Sequence, residues 1–68
     1  MSVDMLDFIS VCIDKSTGEE VTLNRAAVTY ITRLGHTNYT KIYLVDGNSI
    51  ISTEPYNDIH MKVRYGKR

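Results

Sequence analysis

Short runs of β-branched and aromatic residues alternate along the chain with turn formers, at intervals suited to hairpins. Such side chains pack well on a pleated surface, so the runs are typical of antiparallel strands. In the third run, Val28, Tyr30 and Leu34 have the same parity and are predicted to share one face. We predict five strands, at residues 6–14, 19–23, 27–34, 39–45 and 49–53.

Two of the connections contain clear turn chemistry. Lys15-Ser16-Thr17-Gly18 ends the first run, and its glycine is free to adopt a positive φ. Asp46-Gly47 lies between two apolar-rich runs, and Asp-Gly is a preferred pair for two-residue hairpin turns. The first run is apolar at both alternating positions, which favours a central or curled strand.

Pro55 ends the strand pattern and is predicted to lie near the start of a helix. Proline cannot donate to a strand ladder but is favoured in the first helical turn, where Ser52 or Thr53 would act as the cap. One buried helical stripe is predicted at the i, i+3, i+4 and i+7 positions Tyr56, Ile59, His60 and Val63.

The predicted fold class is α+β, mainly β. It is a small twisted antiparallel sheet or half-open barrel of about five strands with one C-terminal helix. Residues 1–63 are expected to form this single domain, and residues 64–68 a basic tail.

The length of 68 residues implies a thin core, because so short a chain buries only about 60% of its unfolded surface. Cys12 is the single cysteine, so no intramolecular disulfide is possible and the residue is expected to be a small buried apolar one. His36 and His60 are too widely separated for a metal motif, and no metal or other cofactor is predicted. A second copy of the chain is therefore the expected stabiliser.

Eight Lys and Arg residues balance eight Asp and Glu residues, so the chain has no overall field that attracts nucleic acid. Its first residues contain no basic segment followed by a long apolar stretch, and a signal peptide is not expected. No run approaches the roughly 20 apolar residues of a membrane span. A cytoplasmic protein without membrane contact is predicted.

Catalytic motifs are not found in the sequence: there is no glycine-rich phosphate loop, paired-histidine motif or nucleophile elbow. The alternative is a site that is assembled only on folding, for example from Asp58 and His60 on the helix. The simpler interpretation is that Asp58 complements the helix N-terminus while His60 borders the buried stripe. The protein is predicted not to be an enzyme.

The tyrosines are the main candidate binding residues. Tyr39 and Tyr43 share a predicted strand face with Lys41, and Arg64 and Tyr65 lie in the predicted basic tail. Aromatic and basic side chains together can hold single-stranded nucleic acid by stacking and charge neutralisation. They are also enriched at protein interfaces, and tyrosine is in any case a good strand former.

The run at residues 49–53 is a second candidate surface, because few charges protect it. If it lies at a sheet edge, its unpaired backbone groups can add a strand from another chain, with Ile51 contributing to the contact.

Several short segments in the middle of the chain together resemble the FlbD-type swarming-motility proteins, which are small bacterial cytosolic chains. In order, the segments are Gly18, Val21-Thr22-Leu23-Asn24, Ile31, the run from Thr40 to Gly47, Glu54, Ile59 and Val63. The resemblance covers residues 18–63. It implies a small β-rich fold and a regulatory role in a bacterium or its phage, and it transfers no catalytic residue.

The predicted function is that of a small, non-catalytic cytosolic binding or regulatory protein. It is expected to act through protein–protein contacts as a homodimer, and a single-stranded RNA- or DNA-binding module is the alternative. The predicted partner-binding residues are Tyr39, Lys41, Tyr43, Ile51, Arg64 and Tyr65.

Overall fold

The fold is known from a computed structural model that describes residues 8–65. Five strands are followed by one α-helix, and a short 3-10 helix, Arg25–Ala27, joins the second strand to the third. The strands are β1 (Phe8–Asp14), β2 (Glu19–Asn24), β3 (Val28–Arg33), β4 (Thr40–Leu44) and β5 (Ser49–Ser52), and the helix is α1 (Tyr56–Tyr65). The predicted fold class, mainly β with five antiparallel strands and one C-terminal helix, is confirmed.

The strands form two antiparallel sheets, β1-β2 and β3-β4-β5. The sheets meet where β5 ends, because the backbone N–H of Thr53 donates to the carbonyl oxygen of Cys12 at 2.9 Å. Strand β1 therefore has a neighbour at both edges, as its doubly apolar pattern predicted.

Four fully buried apolar side chains form the centre of the core among the described residues, namely Ile9, Val11, Ile42 and Ile59. They come from β1, β4 and α1, so the helix closes the space between the two sheets. A larger set of half-buried apolar residues surrounds them, including Val21, Ile31, Leu44 and Val63. The described core is as thin as the chain length predicts.

A polar cluster joins α1 to the two sheets. The Glu54 carboxylate accepts a hydrogen bond from the backbone N–H of Cys12 at 2.7 Å and lies 2.8 Å from Lys62 Nζ. Lys62 Nζ also donates to the carbonyl oxygen of Ser10 at 2.7 Å. The ion pair is largely shielded from water, with Lys62 20% and Glu54 18% exposed, and it attaches the helix to the edge of β1 opposite β2.

The predicted helix cap at Ser52 or Thr53 is wrong, because both hydroxyl groups donate to the carbonyl oxygen of Cys12 on β1. At the start of the helix, the backbone N–H groups of Asp58 and Ile59 donate to the Pro55 carbonyl oxygen, at 3.0 Å and 3.1 Å. Cys12 is half-buried rather than buried, and its Sγ lies 3.4 Å from the Thr53 hydroxyl.

The prediction that Val28 and Tyr30 share one face of β3 is also wrong. A bulge between Val28 and Tyr30 shifts the register, so that Val28 lies opposite Leu44 while Tyr30 lies opposite Tyr43. An extra residue reverses the alternation of side chains beyond it. Val28 therefore faces the core, and Tyr30, with 57% of its surface exposed, faces solvent.

The β4–β5 hairpin is present at Asp46-Gly47, but its turn is longer than the predicted two residues. The backbone N–H of Leu44 donates to the Asn48 carbonyl oxygen at 2.8 Å, which leaves residues 45–47 as the loop. Gly47 has a φ of 92°, as the third position of such a loop requires.

The β1–β2 turn ends at Gly18, whose φ is 77°. At its start, the Ser16 hydroxyl donates to the Asp14 carboxylate at 2.7 Å, and the Ser16 backbone N–H donates to the same oxygen at 3.0 Å. Hydrogen bonding from Ser16 lowers the pKa of Asp14 below its ordinary value of 3.8.

We expect this turn to weaken in acid. A carboxyl group whose pKa is lowered by folding stabilises the fold above its ordinary value of 3.8, and this stability is lost as the pH falls through the lower folded-state pKa. Asp14→Asn should therefore lose less stability than the wild type between about pH 5 and about pH 2, measured by urea unfolding. Ser16→Ala should have a smaller effect in the same direction, because the backbone N–H of residue 16 still donates to the Asp14 carboxylate. Equal acid dependence in all three proteins would contradict this account.

Helix α1 extends to Tyr65, so Arg64 and Tyr65 lie in its last turn rather than in a tail. Within its stripe, Ile59 is buried and Tyr56 and Val63 are half-buried, but His60 is exposed. No helix in residues 8–65 is long and apolar enough to cross a membrane.

Candidate functional site

The outer face of the β3-β4-β5 sheet brings together three of the predicted binding residues. Lys41 lies directly opposite Ile51, and Tyr43 lies opposite Tyr30, so cross-strand pairing places all four side chains on one face. The intervening Ile42 is fully buried on the other face. We call the four residues Tyr30, Lys41, Tyr43 and Ile51 the tyrosine face.

The two aromatic rings of the tyrosine face stack on each other. The ring centroids of Tyr30 and Tyr43 are 4.2 Å apart, and the ring planes differ by 14°. Lys41 Nζ is 5.1 Å from the centroid of the Tyr43 ring, within the range of a cation–π contact. These contacts hold the side chains in place, and Ile51, 49% exposed, extends the apolar surface beside them.

Sequence reasoning missed Tyr30, because parity counting assigned it to the face of Val28. A bulge is encoded by backbone geometry, and no residue near Thr29 marks one in the sequence. The hydroxyl of Thr29 donates to the Tyr43 carbonyl oxygen at 3.0 Å, which supplies a partner where the ladder is interrupted. The one available signal was that tyrosine is amphipathic and suits an exposed strand position.

The other three predicted binding residues lie elsewhere. Tyr39 precedes β4 and is half-buried, and its ring centroid is 6.0 Å from Nζ of Lys15 in the β1–β2 turn. Arg64 and Tyr65 are on α1, where the guanidinium carbon of Arg64 is 5.5 Å from the Tyr65 ring centroid. The structure thus divides the predicted set between a sheet face, a turn and a helix end.

Strand β5 lies at the edge of its sheet. This position is the one that strand addition to residues 49–53 requires. Its C-terminal end is occupied by the bonds of Ser52 and Thr53 to Cys12. The part of β5 open to a new strand is therefore limited to the residues around Ile51. Short edges of this kind are poor templates for strand addition.

The structure does not assemble Asp58 and His60 into a site. Both are exposed on α1, and residues two apart on a helix point in different directions. His60 instead approaches Tyr56, with ring centroids 6.1 Å apart.

A second surface feature lies between β3 and α1, and we call it the edge groove. It has a volume of about 220 Å³ and is lined by Val28–Ile31 on the strand and by His60, Val63 and Arg64 on the helix. Its lining is mainly apolar, and no acidic residue among residues 8–65 contributes to it.

A further cavity of about 230 Å³ is lined by Arg33, the loop residues Thr37 and Asn38, and residues 55–57 at the start of α1. Its walls are polar and open. The guanidinium carbon of Arg33 is 4.7 Å from the centroid of the Tyr56 ring, so this cation already has an aromatic partner.

Comparison with known proteins identifies no relative: no family model, no curated protein and no solved structure matches the chain.

Proposed function

We propose that this chain is a small, non-catalytic binding or regulatory protein that acts through protein–protein contacts, and that its first partner is a second copy of itself. The observation that carries the proposal is the tyrosine face, a stacked aromatic pair beside an exposed isoleucine on a sheet surface that no element of residues 8–65 covers. Tyrosine and aliphatic side chains of this kind form the buried centres of protein interfaces.

Two physical arguments favour a second copy as the occupant. The described core contains only four fully buried apolar residues, so covering Tyr30 and Ile51 would add substantially to the apolar surface removed from water. In addition, the chain has no net charge, and two copies approach without electrostatic repulsion. A symmetric dimer buries the same patch on both subunits.

Sedimentation velocity over a concentration series tests this proposal. The wild type should pass from monomer to dimer as concentration rises, and Ile51→Glu should weaken association by about tenfold or more, because it places a charge in the contact. Met61→Glu is the matched control, since Met61 is 46% exposed against 49% for Ile51 but lies on α1. A wild type that stays monomeric throughout, or two variants of equal effect, would refute the proposal.

A single-stranded nucleic-acid module is the second candidate, and one observation favours it. Lys41 lies next to two stacked rings, of which Tyr30 is exposed and Tyr43 is half-buried. On such an arrangement a base can stack while the cation neutralises a phosphate. Against it, Lys41 is the only cation of the tyrosine face.

Fluorescence anisotropy with mixed-sequence RNA and DNA oligonucleotides at low salt separates the two candidates. If the tyrosine face is a homodimer contact, the protein should show no salt-sensitive binding of the oligonucleotides. Binding that falls steeply with salt and is abolished in Tyr43→Ala, but kept in the control Tyr39→Ala, would replace the first proposal with the second.

The biological setting belongs to the same proposal. The resemblance of residues 18–63 to FlbD-type proteins supports a regulatory role in the cytoplasm of a bacterium or in its phage. The observed mainly β fold with a terminal helix agrees with what that resemblance implies.

A further inference from the structure

The edge groove lies beside a strand edge that has no partner within residues 8–65. Strand β3 pairs with β4 on one side only, and its other edge faces the groove between the strand and α1. An edge strand offers unpaired N–H and C=O groups to an added strand. The bulge at Thr29 interrupts regular pairing at the start of β3, which leaves residues 30–33 as the regular part of this edge.

The groove combines an apolar floor with one positive charge, that of Arg64. Val28, Ile31 and Val63 are half-buried apolar residues along it, while His60 and Arg64 are exposed on its helix side. Helix α1 contributes no acid to this lining. An occupant that places an apolar side chain on the floor and a carboxylate near the Arg64 guanidinium would match both features.

We propose that the edge groove binds an extended peptide segment of a partner protein, added alongside β3, with an apolar residue and an acidic residue two positions apart. Side chains two positions apart in a strand point to the same side, so both would face the groove. The backbone supplies strand pairing, and the two side chains supply specificity. This partner is distinct from the second copy that covers the tyrosine face.

Charge decides between this occupant and the others. A second copy presenting the same edge would bring the two Arg64 side chains and the two Arg33 side chains into one interface, and like charges in an interface are unfavourable. A nucleic acid would satisfy the cations, but its phosphates would not suit an apolar floor. An acidic and apolar peptide segment satisfies both.

The test is an NMR titration of the isotope-labelled full chain with a capped synthetic peptide, acetyl-Ser-Thr-Ile-Thr-Glu-Thr-Ser-amide. The matched control peptide has lysine in place of glutamate. Amide shifts should change at residues 28–33 and 60–64, and the lysine peptide should bind about fivefold more weakly or worse. No saturable change at millimolar peptide, equal affinity for the two peptides, or changes centred on Lys41, Tyr43 and Ile51 would each overturn the proposal.

Variants locate the charge contact. Arg64→Gln should weaken binding of the glutamate peptide by about fivefold without weakening that of the lysine peptide, whose repulsion from Arg64 it removes. Lys15→Gln, in the distant β1–β2 turn, should change neither. The peptide pair tests the proposal even if a variant folds poorly. Ile51→Glu should bind the glutamate peptide like the wild type, so the groove and the dimer succeed or fail separately. Loss of peptide binding in Ile51→Glu, with its fold intact, would contradict the assignment to the groove.

Discussion

Replacing Ile42 with alanine is expected to lower the free energy of unfolding by about 3–4 kcal/mol, the usual cost of cutting a fully buried isoleucine back to alanine. Ile42 is completely buried in the middle of β4, in one cluster with Ile9, Val11 and Ile59. A chain of this size has a total stability of roughly 3–10 kcal/mol. The expected loss is therefore about a third of this total stability or more, and the variant should unfold at a much lower urea concentration than the wild type.

Urea unfolding followed by circular dichroism measures this loss. Val45→Ala is a suitable control, because Val45 is an aliphatic residue in the turn after β4 with 65% of its surface exposed. It should change stability by no more than about 0.5 kcal/mol. An Ile42→Ala protein within about 1 kcal/mol of the wild type would show that the core is not centred where the structure places it.

Lys62→Met is expected to have the second largest effect, a loss of about 2–4 kcal/mol. The substitution removes the ammonium group that bonds both the Glu54 carboxylate and the Ser10 carbonyl oxygen. Glu54 is then left with its charge partly buried and one strong partner, the Cys12 N–H. The methionine keeps most of the apolar stem, so the loss reports the polar contacts and not packing.

A double-mutant cycle with Glu54→Gln measures the coupling between the two side chains. The double variant should be more stable than the sum of the single losses implies, because removing both charges leaves neither unpaired. Lys15→Met is the control for loss of an exposed lysine and should be nearly neutral. Strict additivity, or a Lys62→Met protein as stable as the wild type, would mean that the pair does not attach α1 to β1.

Local pattern was sufficient to predict most of the fold. Each strand, the β4–β5 hairpin and the amphipathic helix depend on neighbouring residues, such as the alternation that buries Ile42 between Lys41 and Tyr43. The same alternation placed Lys41 and Tyr43 on one face. Predicting that Ile51 lies on the same face as Lys41 and Tyr43 also requires the register of the β4–β5 hairpin, which the turn of the hairpin determines.

The features that sequence reasoning missed depend on contacts between distant segments. The Glu54–Lys62 pair bonds residues of β1 that lie far earlier in the chain, Cys12 being 42 positions before Glu54. No rule of local sequence spacing links such distant positions. Ser52 has the residue type and position of a helix cap, but its hydroxyl donates to the carbonyl oxygen of Cys12 on β1. The bulge at Thr29 is likewise set by the pairing of β3 with β4, and it decides that Tyr30 completes the tyrosine face.

An isotope-filtered NOE experiment on a mixture of labelled and unlabelled chains tests the central claim most directly, because it detects contacts between two copies only. The tyrosine face as a dimer contact predicts NOEs from the Ile51 methyl groups of one copy to the Tyr30 or Tyr43 ring of the other. In Ile51→Glu, which lacks these methyl groups, all other intermolecular NOEs should disappear as well, and in Met61→Glu the Ile51 signals should persist. Intermolecular NOEs that involve other surfaces alone, or none at concentrations near 1 mM where even a weak dimer forms, would contradict the account.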